Sequence, residues 1–210
     1  MAYSIKEVFH TIQGEGANVG APAVFCRFSG CNLWSGLEKD RSSAACKFCD
    51  TDFVGTDGLR GGVYVGPEHL AKAIDDAWVG EDAQRLVVLT GGEPLLQVDD
   101  ALLEALRSRG FKIAIETNGT QSVPSGVDWI CVSPKAGVPL AQLSGDEIKV
   151  VYPQADIDLD VLAKLNFRHF FLQPMDGPAA GHNLALVTDY CLKNPRWRVS
   201  VQLHKLLGLR

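Results

Sequence analysis

The sequence predicts an α/β fold of about six mainly parallel strands, arranged either as a partial, open barrel with helices outside or as a flat doubly wound sheet. Three observations lead there. Short apolar runs of strand length alternate with amphipathic stretches of helical period through most of the chain. The repeated strand, helix, strand order packs helices against parallel strands. Six such runs fall short of the eight that close a standard barrel.

AVFCRFS (23–29) is the earliest of these strands. Its alternation sends Val24, Cys26 and Phe28 to one face and Phe25 with Arg27 to the other. VGTDGLRGGVYVG (54–66) reads as a Gly-rich loop. PEHLAKAIDDAWV (67–79) reads as a helix, with Pro67 suited to a first turn and Leu70, Ile74 and Trp78 on one face. The strand LVVLTG (86–91) follows, then a helix over 98–110 that presents Leu102, Leu103 and Leu106 and ends at Gly110. KIAIET (112–117), WICVSPK (129–135), EIKVVY (147–152) and HFFLQPM (169–175) complete the strands, and 157–167 and 182–194 read as helices. In EIKVVY the charged Glu147 and Lys149 share a face. That strand is therefore either a solvated edge or one wall of a polar interior. With no linker or repeat in view, the expectation is a single domain over 1–210.

Strand after strand ends in groups able to bind or react: Thr90-Gly91-Gly92-Glu93, Glu116-Thr117-Asn118, Ser133-Pro134-Lys135 and Gln173-Pro174-Met175-Asp176. In parallel α/β folds the C-terminal strand ends share one face, so these segments should converge on one site. A net charge of -5 argues against a general phosphate-binding surface and for a small-molecule partner, with no direct nucleic-acid binding. The N-terminus lacks a basic region followed by a long apolar run, and no stretch is long enough to span a membrane. A cytoplasmic protein is expected, and its six cysteines then read as thiols or metal ligands.

Four cysteines lie close together as C26-x4-C31-x14-C46-x2-C49, near the spacing of a structural zinc site. Geometry counts against Cys26. It shares the apolar face of its strand, and five extended residues separate it from Cys31 by up to roughly 16 Å. Cys26 therefore reads as a core residue, as do Cys131 and Cys191. Three thiolates remain, enough to hold three irons of a 4Fe-4S cluster and leave the fourth open.

Two segments now resemble the radical S-adenosylmethionine (SAM) enzymes. C46-K-F-C49 matches the end of their usual C-x3-C-x2-C motif, with an aromatic Phe48 before the last cysteine, although the first gap here is fourteen residues. T90-G-G-E-P94 resembles their GGEP segment. Further pieces, H10-T-I-Q-G-E-G16, F25-C-R-F-S-G-C-N-L-W34, C49-D-T51, S133-P-K135, Q173-P-M-D176 and Q202-L-H-K205, are together similar to the family of 7-carboxy-7-deazaguanine synthases. Some members of that family carry an expanded first cysteine gap.

The resemblance implies an incomplete TIM-like barrel of the radical SAM type. It also implies a carbon-nitrogen lyase that turns 6-carboxy-5,6,7,8-tetrahydropterin into 7-carboxy-7-deazaguanine with loss of ammonia, on the queuosine and 7-deazapurine pathway. Its cofactors would be a 4Fe-4S cluster, SAM and Mg2+, the cluster on Cys31, Cys46 and Cys49 and the magnesium on Thr51. No protein side chain is itself catalytic in that scheme, because the radical is carried by the cofactor. SAM would meet Phe48, Cys49, Asp50, Gly92, Ser133, Pro134, Lys135, Gln173, Pro174, Met175 and Asp176. Substrate would meet Ile12, Gln13, Gly14, Glu15, Arg27, Thr90, His204 and Arg210. A homodimer and an electron donor such as flavodoxin complete the expectation. Two rivals share features with it: a radical SAM activase acting on a protein partner, and a zinc protein using Cys26, Cys31, Cys46 and Cys49. Residues 32–45 are expected to loop out, anchored by Trp34 and Leu37, with Glu38 to Arg41 facing solvent.

Overall fold

The computed structural model describes residues 1–81 and 84–209. Its backbone is one open sheet on which every helix is a crossover or a closing element. β1 (Ala2–Ile12) pairs antiparallel with both β2 (Pro22–Phe28) and β3 (Gly62–Val65). From β2 outward all pairing is parallel, through β4 (Arg85–Gly91), β5 (Phe111–Thr117), β6 (Trp129–Val132), β7 (Ser144–Tyr152), β8 (Asn166–Pro174) and β9 (Trp197–Val199). The strand order is β3-β1-β2-β4-β5-β6-β7-β8-β9, and the two end strands do not meet. The observed sheet thus has nine strands among the described residues, where the sequence predicts about six.

Each omission has a local cause. In β1 the partners run Ile5↔Phe28, then Glu7↔Arg27 and Val8↔Cys26, so a bulge at Lys6 reverses the alternation midway. Tyr3 and Ile5 enter the core before it and Val8 after it, which breaks the period-two signature. β3 lies inside the stretch read as a Gly-rich loop, and β9 is only three residues long. The segment 157–167 is also corrected: only Leu159–Leu162 is helical (α3), and Asn166 already belongs to β8. Short apolar segments do not distinguish helix from strand by period alone.

The longer helices follow the sequence, and a short one at Leu203–Leu206 is added. α1 (Pro67–Asp75) has proline in its first turn and buries Leu70 and Ile74. α2 (Asp100–Arg107) is capped by Asp99, which accepts from the Leu102 amide at 2.9 Å, and Gly110 beyond it takes φ +79°. These two helices cover Val24, Cys26, Phe28, Val87, Leu89, Ile113 and Ile115 on one face of the sheet. α3, α4 (Ala180–Lys193) and β9 complete a second cluster over Val132, Ile148, Val150 and Leu172. On the opposite, inner face a small plug of Ala23, Val88 and Ala114, with Phe25, Leu86 and Trp129, fills one end. The other end, at the C-terminal strand ends, is open. No helix among the described residues is long and apolar enough to cross a membrane.

Candidate active site

A cavity of about 360 Å³ occupies that open end. The cysteines form part of its wall. Leu33 closes the neck of the fourteen-residue gap: its carbonyl accepts from the amides of Ala45 and Cys46 at 3.1 and 3.4 Å, and its own amide donates to Cys31 Sγ at 3.4 Å. Cys31 and Cys46 are thereby neighbours despite their spacing. The Cys46 thiol donates to Cys49, which together with bonds from Thr51 brings Cys49 down to about 6 and pushes Cys46 up. Burial raises Cys31. Lys135 faces all three sulfurs; burial lowers its ammonium while the thiols oppose that shift. Its Nζ donates to the Ser133 carbonyl at 2.6 Å and lies 5.8 Å over the Phe48 ring.

Cys26 stands apart, fully buried in the core on the far face of the sheet, which removes the four-thiol zinc arrangement. Among the described residues no three His, Cys, Asp or Glu side chains gather around one point as ligands of a single ion would. A cluster makes a different demand, since it spreads its thiolates over separate irons. Three thiols on one cavity wall beside a lysine suit that demand. Cys131 is buried, as the sequence has it, and also borders the cavity; Cys191 is half-buried on α4.

The Gly-Gly-Glu segment braces Cys31. A side chain at Gly92 would meet the Gly30 carbonyl at 2.0 Å, so only glycine lets this strand end approach so closely. The amide of Glu93 donates to the same carbonyl at 2.9 Å. Its fully buried carboxylate accepts from Leu95 N, Thr117 Oγ1 and Asn118 N at 2.8–3.0 Å. Asn118 in turn donates to Asn32, next to Cys31, at 2.9 Å.

At the other end of the cavity the EIKVVY alternation resolves as the wall of a polar interior. Lys149 is buried and ion-paired with Glu15, with Glu116 3.6 Å away. Glu116 accepts from Gln13 at 3.1 Å and Thr90 at 3.2 Å, and Glu15 accepts from Gln173 at 3.0 Å and Gln202 at 2.9 Å. Burial pushes Glu15 up, but Lys149 and Gln202 outweigh it and hold the carboxyl at about 2. Arg27 does face the cavity, with Nε donating to Glu7 at 2.9 Å.

The cavity gathers nearly all the residues anticipated for it: Ile12, Gln13, Glu15, Arg27, Thr90 and His204 for substrate, and Phe48, Asp50, Thr51, Gly92, Ser133, Lys135 and the run Gln173 to Asp176 for cofactors, with Gln173 reaching across to Glu15. Two assignments differ and one falls outside what the structure describes. Gly14 is not on the wall but beneath His204, whose Nδ1 lies 2.1 Å from where a Cβ would stand. Pro134 is buried behind the wall. Arg210 lies outside the described residues. Sequence reasoning gave Glu7, Gln202 and Lys205 no place in the cavity; Glu116 stood among the strand-end groups expected to converge there, and Lys149 was left between a solvated edge and a polar interior. Lys149 and Glu116 carried a signal, the first in its strand alternation and the second in its strand-end position; Glu7 was hidden by the bulge.

An open, mostly parallel sheet with three thiols and a Gly-Gly-Glu turn at its C-terminal edge defines a radical SAM enzyme, a class that works with a 4Fe-4S cluster and SAM. No family model matches the chain. Curated relatives do: the 7-carboxy-7-deazaguanine synthase of Caulobacter vibrioides is 59% identical and that of Bordetella pertussis 57%, each over the whole of both chains. The crystal structure of QueE from Escherichia coli is 30% identical, covers 97% of this chain and 95% of its own, and superposes with a TM-score of 0.73. The chain belongs to the 7-carboxy-7-deazaguanine synthase family and is a radical SAM lyase.

Proposed function

We propose that this chain converts 6-carboxy-5,6,7,8-tetrahydropterin to 7-carboxy-7-deazaguanine with loss of ammonia. The observation that carries the reading is one cavity with thiols at one end and a buried ring of amides and carboxylates at the other. Cys31, Cys46 and Cys49 would hold the cluster, and Lys135, Ser133, Gly92, Asp50 and the run Gln173 to Asp176 would surround SAM. Together these cofactors supply a carbon radical able to remove a weakly acidic hydrogen. The residues of the chain do the rest. Gln13, Glu15 and Glu116 offer acceptors and donors to a pterin edge, and Arg27 can fork onto the substrate carboxylate. Phe9, Phe25 and the C-terminal residues Gln202 to Lys205 limit water at the reacting end.

Thr51 borders the cavity and bonds Cys49, which supports it as the hydroxyl ligand of Mg2+, with substrate oxygens and water completing the shell. One continuous sheet supports a single domain. A homodimer and a flavodoxin-like donor rest on family likeness, and a cytoplasmic location is the expectation drawn from the sequence. Anaerobically prepared protein should be brown and hold about four irons per chain; a colourless, iron-free product would sink the reading. Turnover of the carboxylated tetrahydropterin with SAM, reductant and magnesium tests the substrate. Arg27→Ala should keep its iron and lose turnover at least about a hundredfold, the worth of a charged bidentate pair; retained activity would remove Arg27 from the substrate site.

A further inference from the structure

The fourteen-residue gap does not simply loop out. Its outer part is a short 3-10 helix, Glu38–Ser43, and from it Arg41 turns back toward the cysteines. Arg41 Nη1 donates to the carbonyls of Lys47 and Cys49, each at 3.1 Å, which flank Phe48 in the turn that presents Cys46 and Cys49. Nε is held by Glu38 at 2.7 Å, and the guanidinium lies 4.0 Å over the ring of Trp34. Trp34 is itself buried edge-on against Phe53, at 5.6 Å and 88°. Of the expected arrangement, Trp34 is the anchor, Leu37 is exposed, and Arg41 faces the cysteine turn rather than solvent.

Residues 46–53 form neither helix nor strand. Their geometry must therefore come from outside. A guanidinium can supply it, because it is planar, forks between two acceptors and stacks on an aromatic face, none of which an ammonium does equally well. We propose that Arg41 is a positioning residue of the three-thiol site, a brace carried by the insertion that fixes the Cys46–Cys49 turn for cluster binding. The gap between the first two ligands thus contains its own means of ordering the last two.

The inference rests on the cluster reading above, and its test separates the two. Iron-free protein is exposed to iodoacetamide and each cysteine's alkylation rate is read by mass spectrometry, with the core residue Cys26 as an internal clock for global opening. In Arg41→Gln, Cys46 and Cys49 should react about tenfold faster relative to Cys26, because the two charge-assisted bonds lost are partly exposed and solvent discounts each of them. With cluster bound, iron release to a chelator should quicken by a similar factor. Arg41→Lys keeps the charge but loses the fork and should rescue little. Unchanged rates in Arg41→Gln, an equal rise at Cys26, or full rescue by Arg41→Lys would each overturn the proposal. Failure of the wild type to bind iron would instead defeat the cluster reading, and the alkylation experiment does not depend on iron.

Discussion

Lys149→Met is the perturbation on which the polar interior can be measured. Lys149 is 6% exposed at its side chain and neutralises Glu15 and Glu116, which are 14% and 22% exposed. Removing the ammonium leaves two half-dry carboxylates side by side, a change that costs ~3–5 kcal/mol where a buried pair is broken from one side. An independent route gives a similar figure. Glu15 is held at about 2 against an ordinary 4.5, a linkage worth ~3 kcal/mol in favour of folding at neutral pH. Methionine has nearly the volume of lysine, so packing changes contribute little.

The sign of the pH dependence makes the test sharper. In the wild type the Glu15 carboxyl is depressed, so its contribution is complete above pH 4.5 and is lost as pH falls toward 2. In Lys149→Met the largest opposition to the burial that pushes Glu15 up is gone, with only the smaller effects of Gln202 and His204 left, and the folded carboxyl should rise above 4.5. Stability should then fall as pH rises from about 4.5 toward neutrality, a range over which the wild-type contribution of Glu15 is constant. Urea unfolding of iron-free protein at several pH values between 4 and 8 reads both effects. Adding Glu15→Gln should restore part of the loss, because the uncompensated charge is gone. A loss under about 1 kcal/mol, or a variant whose stability relative to the wild type does not fall as pH rises from about 4.5, would refute the buried-network reading.

Two further outcomes follow from the geometry. Gly14→Ala places a methyl 2.1 Å from His204 Nδ1 and 2.9 Å from its backbone nitrogen, and should lift the C-terminal segment off the cavity; hydrogen exchange should rise over 200–209 and turnover should collapse while iron content stays normal. Cys26→Ala should retain full iron and lose about 1–2 kcal/mol of stability as a core truncation, whereas Cys31→Ala should fail to retain a normal cluster; iron analysis beside urea unfolding distinguishes the two.

The sequence made the site more legible than the sheet that carries it. Strand-end polarity located the active face, because the rule that brings C-terminal strand ends together depends only on parallel pairing. Period-two alternation separated Cys26 from Arg27 and put Glu147 with Lys149 on one face, but did not say whether that face was solvated or interior. What it could not register was β1, where the bulge at Lys6 changes phase and sends Glu7 to the cavity with Phe9. The bulged lysine is tied at 2.9 Å to Asp52 and 2.7 Å to Asp57, a contact between residues far apart in the chain that no local period reveals. Arg41 was hidden for the same reason. A charged residue in a polar insertion looks solvated until the backbone brings two carbonyls back to it.

The inner face explains why such a polar cavity is compatible with a packed sheet. Val88 of β4 lies beside Ala114 of β5, and Ala114 beside Trp129 of β6, which makes one apolar layer. Two residues further along β5 the same face carries Glu116, whose register neighbours are Cys131, Glu147 and His169 on successive strands. Apolar plug and polar floor are therefore adjacent layers of one lattice, as alternate residues stack inside a barrel. The charges need no flexible loops to place them. Their separations are set by strand register, which the outer face fixes independently through Leu89, Ile113, Ile148 and Leu172 packed under the helices. A one-residue slip would drive those apolar side chains into the cavity and the carboxylates into the core, so the hydrophobic pattern on one side of the sheet also holds the binding geometry on the other.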